Sequence, residues 1–333
     1  MRTGSAVRPV VSIRLDHLRR LTDDFGVIQF ARGRDPDPAS GYAADDVARA
    51  LVVAARLGQE DLARIYLAFL GRALRADGWF HNLWSPFRRP LPAARSEDCQ
   101  GRCLWALGEV VGSSLPHELR EQAGRLVAAA APTSAQLHGV RGRANALLGL
   151  AVAGLPEIVN SLADALHRQL DRAPDAWPWP EPVLTYELAR VPHGLIRSAD
   201  RVPAGALVLA TALRTLDFLI DVMIEDGVVW PVGNRGWYPR GGTKARWDQQ
   251  PVDPGALAEA CAEAYRATGL ERYREVARLA VQWFEGRNAC RVPLVDEDGA
   301  CRDGLSPHGV SENRGAESCL AYLLAALTAA SLV

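Results

Sequence analysis

No stretch of this 333-residue chain approaches the roughly 18 uncharged apolar residues of a membrane-spanning helix. Met1 to His17 carries arginines but lacks the apolar run of a signal peptide. Both absences predict a cytoplasmic protein with no membrane partner. An excess of one charge is missing too. The 38 Lys and Arg stand against 39 Asp and Glu, a net charge of -1, which leaves no basic footprint for nucleic acid. The six cysteines, at 99, 103, 261, 290, 301 and 319, form no CxxC framework and read as reduced thiols. Histidine spacing is equally uninformative: His81, His138, His193 and His308 belong to no HExxH-like pattern, so neither a metal nor another cofactor is expected. A Gly-X-Ser-X-Gly elbow is absent, which disfavours serine hydrolysis. The glycines between Gly233 and Gly242 do not make a nucleotide fingerprint after a strand and read instead as a cleft-lining loop. Finally, no convincing run alternates apolar with polar residues, so β structure should be minor.

What the chain does have is helical periodicity. Leu62, Ile65, Tyr66, Phe69, Leu70, Ala73 and Leu74 hold the i, i+3, i+4, i+7 spacing of an amphipathic helix, and similar Ala- and Leu-rich segments recur throughout. They fall into pairs: 43–58 with 60–76, 98–111 with 116–130, 140–153 with 156–171, 184–199 with 204–222, and 254–268 with 271–286. A last candidate, 314–331, would find its partner in the N-terminal segment near 12–24, closing a ring of six hairpins. Links within pairs are short and marked by breakers such as Gly154-Leu155-Pro156 and Gly269. Links between pairs are long: 77–97, 131–139, 172–183, 223–253 and 287–313. Antiparallel hairpins put every long link at the same end. The spacing from Asp46 to Asp98 to Asn145 also admits an open solenoid, but solenoid links are usually uniform and these are not. The expected architecture is therefore all-α, an (α/α)6 toroid of six helical hairpins, with residues 1–333 as a single domain.

Each first helix opens on a polar cluster. These are Gly41 to Asp46, with Tyr42, Asp45 and Asp46; Ser96 to Arg102, with Asp98; and Arg141 to Asn145. Glu181 with Thr185-Tyr186-Glu187 follows, then Trp247 to Asp253, with Asp248, Gln249 and Gln250, and last Asn313 to Ser318, with Glu317. A carboxylate at a helix N-terminus is adequately explained as a cap. Six clusters mixing acids, amides, Arg and Tyr at one mouth suggest more. Glycoside hydrolysis needs two carboxyl groups across a cleft, one protonated and one ionised. Asp46, Asp98, Glu181 and Glu317 are the leading candidates, with Asp45 and Asp248 behind them. Arg102, Asn145, Gln249, Gln250 and Asn313, with Tyr42 and Tyr186, offer donors and acceptors to sugar hydroxyls. Trp177, Trp179, Trp230, Trp237 and Trp247 lie in long links, where an indole can cover a pyranose face; Trp179 and Trp237 are the candidates carried forward.

Four strings carry a resemblance. Tyr42 to Arg49, Glu97 to Gly108, Asp248 to Pro251 and Asn313 to Ser318 resemble the recurring motifs of a little-characterised bacterial group within the six-hairpin, α/α-toroid glycosidase superfamily. Val47 departs from the first string, and Pro180 and Leu188 interrupt the region expected to read Trp-x-Phe-Glu and then Thr-Tyr-Asp-Asn. The resemblance implies the toroid, and, because the group is often encoded beside glycosyltransferases, a functional association with them. Wider relatives use an early Asp-rich turn as base and a late Glu as acid, places that Asp45 or Asp46 and Glu317 occupy by analogy. The leading expectation is thus an inverting glycosidase acting on an oligosaccharide or glycoside, with Asp46 or Asp98 as base and Glu181 or Glu317 as acid. Two alternatives stay open. One is a sugar epimerase or isomerase in which His138, His193 or His308 converge; the other is a non-catalytic sugar-binding or assembly partner of a glycosyltransferase.

Overall fold

The computed structural model describes residues 13–92 and 95–332. Residue 12, where the N-terminal helix candidate begins, and most of the segment scanned for a signal peptide lie outside them. Among the described residues there are twelve helices: α1 (Asp16–Leu21), α2 (Ala44–Arg56), α3 (Glu60–Ala73), α4 (Glu97–Val111), α5 (His117–Ala130), α6 (Val140–Ala153), α7 (Pro156–Asp171), α8 (Arg190–Ser198), α9 (Gly205–Met223), α10 (Val252–Thr268), α11 (Glu271–Phe284) and α12 (Ala316–Ala330). None is long and apolar enough to cross a membrane. Among the described residues strand structure is confined to two-residue ladders and isolated bridges outside the α-helices, such as Tyr42–Ala43 with Leu83–Trp84 and Val183–Leu184 with Tyr238–Pro239.

The even-numbered helices form an inner ring. α2 packs on α4, α4 on α6, α6 on α8, α8 on α10 and α10 on α12, and α12 returns to α2. Closure follows from burial. Inner helices such as α10 and α12 are buried around most of their circumference, whereas an outer helix such as α11 buries only one stripe, including Tyr273, Ala277, Ala280 and Phe284. The tightest inner contact joins α4 to α6, where a Cβ added to Gly108 would lie 2.1 Å from the carbonyl oxygen of Gly149, so the backbones touch only because both positions are glycine. The helix ends obey local chemistry. Ser96 caps α4 by accepting the Cys99 N–H at 3.2 Å, Pro156 opens α7, and Gly154 and Gly269 end α6 and α10 in the left-handed conformation.

Two helices are shorter than their periodicity suggests. α1 stops at Leu21, because Asp23 turns the chain by accepting the N–H groups of Phe25 and Gly26; its His17 Nε2–H donates to the Arg314 carbonyl at 2.9 Å and ties the helix to the start of α12. α8 begins at Arg190 rather than near 184. Glu187 sits at φ 50, and its N–H donates to the Asp253 carboxylate at 2.7 Å instead of to a helical carbonyl. A tertiary bond has overridden local propensity there.

Candidate active site

The six inner helices begin at one end of the ring, so their first turns surround a mouth. Beside α2 and α12 lies a cavity of about 240 Å³ lined by Phe30, Asp45, Asp46, Gln250, Asp303 and Glu317. Gln29, Gly315 and Ser318 complete its wall. The Arg49 guanidinium spans two of the acids, 3.0 Å from Asp46 and 3.2 Å from Glu317. Glu317 is 45% exposed through its side chain, whereas Asp46 is 4% exposed overall.

The environment separates these carboxyls. Burial, reinforced by the neighbouring Asp45 charge, pushes Asp46 well above the usual carboxylate range even though Arg49 opposes the shift. Glu317, paired with Arg49, stands half in water. Two carboxyl groups of very different burial therefore share one guanidinium and one cavity.

A second cluster occupies the opposite rim. Asp98 accepts the Tyr186 hydroxyl at 2.6 Å and stands 3.6 Å from Arg141, which in turn lies 3.4 Å from Glu181. Arg141 also covers the Tyr186 ring at 4.6 Å, and Trp237 is tilted against that ring at 6.3 Å. Burial and the Asp98 charge push the Tyr186 phenol up to about 12, so it remains a donor at neutral pH. Arg102 joins the two rims, 3.1 Å from Asp45, 3.9 Å from Asp98 and 2.5 Å from Glu187.

Below the mouth, ion pairs fill the ring axis. Glu187 is 1% exposed and faces Arg102, Arg49 and Arg190. Burial alone would raise its pKa, but the three guanidiniums overcome this and hold it far below the usual range. Asp253 has no such cation; burial and the nearby Glu187 charge push it well up, and its Oδ2 is buried without a hydrogen-bond partner. Arg190 continues the chain to Glu259 at 2.9 Å, Glu259 to Arg56 at 2.8 Å, and Arg56 to Glu109 at 2.8 Å.

Several expected ligand contacts are placed elsewhere. Asn145, Gln249 and Trp179 are at most 1% exposed, so they cannot touch a ligand in this arrangement. Gln249 instead accepts the Trp283 indole N–H and donates to the Arg246 carbonyl, while Trp179 donates to Glu181 at 3.3 Å. Tyr42 is buried against Phe25 and donates to Asp23 at 2.6 Å. Arg102 is spent on carboxylates. Asp248 pairs with the exposed Arg235 at 3.0 Å and does not line the cavity, and Asn313 accepts the Gly33 N–H at 2.9 Å, pinning the chain beside the mouth. Gln250 alone of the expected amides lines the cavity. Trp230 and Trp247 pack on each other, and Trp177 is buried against Phe218 and Tyr238.

The histidines do not converge. His138 and His308 are exposed, while His193 is buried at the far end of the axis, where it shares a separate cavity with Arg56 and Glu259. Its Nδ1 faces an Arg190 N–H at 3.1 Å, and burial together with Arg190 holds it well below the ordinary histidine range, so it is neutral. Among the described residues no group of three or more His, Cys, Asp or Glu is arranged to hold a metal. Reasoning from sequence missed Phe30, Gln29 and Asp303, which sit in aperiodic links. Arg49 and Arg190 left a faint signal, each following its acid by three residues on a helix or at its start.

No protein-family model matches the sequence, and no curated protein matches it in a sequence search. Its closed ring of hairpins does match solved structures. A D-mannose isomerase aligns with TM-score 0.70 and 13% identity over 95% of both chains. A sugar epimerase from a ruminal bacterium gives 0.68 and 12%, over 93% of this chain and 94% of that one. The fold is an (α/α)6 toroid. A GH76 α-mannanase of Bacteroides thetaiotaomicron shares this toroid at TM-score 0.55 and 10% identity, over 87% of this chain and 86% of its own. The architecture implied by the four motif strings is the one the chain adopts.

Proposed function

We propose that this toroid is a carbohydrate-active enzyme that hydrolyses glycosidic bonds, with Asp46 as the proton donor and Glu317 as the base. The observation that carries the reading is the pair of unlike carboxyls on Arg49. Asp46 is buried beside Asp45, which pushes its carboxyl well up and favours its protonated form, whereas Glu317 is half exposed to water. An acid–base hydrolase needs two carboxyl groups in such unlike settings, one to donate a proton and one to take a proton. In this scheme Asp46 gives its proton to the glycosidic oxygen as the bond to the anomeric carbon breaks. Glu317 takes a proton from the water that adds to that carbon. Proton exchange with solvent then restores both groups. The roles reverse those expected from sequence, where Asp46 stood as base and Glu317 as acid. Asp98 and Glu181, tied to Tyr186 and Arg141, fit a positioning role on the far rim.

Solved toroids of similar fold include a sugar epimerase, a D-mannose isomerase and an α-mannanase, which supports a sugar ligand. Epimerisation through paired histidines draws no support from the cavity wall, which none of the three candidate histidines lines.

The test is reducing-sugar release from α- and β-linked gluco-, manno- and galacto-oligosaccharides by the wild type, Asp46→Asn, Glu317→Gln and Asp98→Asn. Release abolished by the first two substitutions is expected. Turnover of free aldoses to their epimers or ketoses without release would replace hydrolysis by isomerisation. Sugar binding without any turnover would leave a non-catalytic partner of a glycosyltransferase.

A further inference from the structure

The floor and the wall of the mouth cavity limit what can enter it. The floor is the axial chain of Arg49, Glu187, Arg190 and Glu259, where the remaining void is about 10 Å³, room for roughly one water. A polymer cannot thread through, so the cavity is blind. Its 240 Å³ falls below the range of about 300–1,000 Å³ common for pockets that take drug-sized ligands, and suits one sugar ring.

The wall includes Phe30, whose residue is 54% exposed. Single exposed apolar residues are common and alone mean little. This one is held at the cavity wall by hydrogen bonds to the turn ahead of α2 and, through Gln29, to the first turn of α12. The Phe30 N–H donates to Ser40 Oγ at 3.1 Å, and its carbonyl accepts the Asp37 N–H at 2.9 Å. The adjacent Gln29 N–H donates to the Gly41 carbonyl, just ahead of α2, and the Gln29 carbonyl accepts the Ala316 N–H in the first turn of α12. A half-exposed phenyl on an anchored backbone, beside carboxyl and amide groups, matches a pyranose, with one apolar face and an edge of hydroxyls.

Resting on the hydrolytic reading, we propose that the cavity is a blind pocket for one terminal sugar ring, with Phe30 as its stacking wall, so that the enzyme removes single residues from chain ends. Binding tests this independently of turnover. Titration calorimetry on Asp46→Asn would compare methyl glycosides of glucose, mannose and galactose with the matching trisaccharides. The bound sugar is expected to have an affinity within about threefold between one ring and three. Phe30→Ala should weaken it about tenfold, equivalent to about 1.4 kcal/mol, and Phe30→Trp should restore it. Because the ring is exposed, Phe30→Ala should leave the melting temperature unchanged. An affinity that climbs tenfold or more with added rings, indifference to Phe30→Ala, or no binding of any of these sugars would overturn the proposal. Absent hydrolysis with this binding pattern intact would instead sink only the hydrolytic reading. With active wild type, monosaccharide should be the first product from a labelled hexasaccharide, and early internal fragments would refute end-wise action.

Discussion

Replacing Asp46 by Asn separates a protonated acid from a buried ion-pair partner. If Asp46 holds its proton, Asn copies its shape and charge, and its amide oxygen can still accept from Arg49. The folded state should lose less than about 1 kcal/mol, consistent with a buried neutral hydrogen bond being kept. A chain of this length loses about 0.7 kcal/mol of stability per degree near its melting point, so the midpoint should move by less than about 1.5 °C. The hydrolytic rate should nevertheless fall by about 10²- to 10⁴-fold, the usual contribution of a general acid. Were Asp46 ionised, the same change would strip the charged partner from a buried arginine at a cost of about 3–5 kcal/mol, or about 4–7 °C. Calorimetric melting alongside reducing-sugar assays distinguishes the cases. A large drop in melting temperature with activity retained would refute the assignment.

Glu187→Gln should be the opposite kind of variant. It leaves Arg102, Arg49 and Arg190 short of one buried charge, and a loss of about 3–5 kcal/mol is expected from equilibrium denaturation. Gly108→Ala should cost about 1–3 kcal/mol, because its methyl meets the Gly149 carbonyl across α4 and α6; a melting temperature equal to wild type would contradict that packing. Stability should also depend on pH with two signs. Asp46 and Asp253 have raised values in the folded chain, so their contribution is full in acid and is lost as pH rises through those values. Glu187 is depressed, so its contribution is present above the ordinary carboxylate range and is lost only as pH falls toward its folded value. Asp253→Asn should therefore flatten the decline on the alkaline side, as read by melting across a pH series. Activity should fall on that same side as Asp46 loses its proton.

Periodicity and breakers determined the hairpins, and the unequal links favoured a closed ring over the open solenoid that the same spacing admits. Helix pairs separated alternately by short and long links can bury their apolar faces only as stacked hairpins, and antiparallel geometry forces the polar clusters onto one mouth. The caps at Ser96, Gly154 and Gly269 act through neighbours a few residues away, so local reasoning reaches them, whereas the contact of Gly108 with Gly149 joins two helices and appears only in the fold. The site resisted such reasoning because a carboxyl's protonation and a side chain's exposure depend on groups distant in sequence. The Asp46 carboxyl is pushed up only because the folded chain buries it beside Asp45. Trp179, Asn145 and Gln249 look like sugar contacts in the sequence but are sealed off by packing. Glu187 leaves the helical pattern because Asp253, 66 residues away, takes its N–H. Phe30 belongs to no pattern at all, and only the clamp between the starts of α2 and α12 brings its ring to the cavity wall. The sequence alone determined which polar groups share an end; burial and long-range pairing decided which of them can meet a ligand and in what charge state.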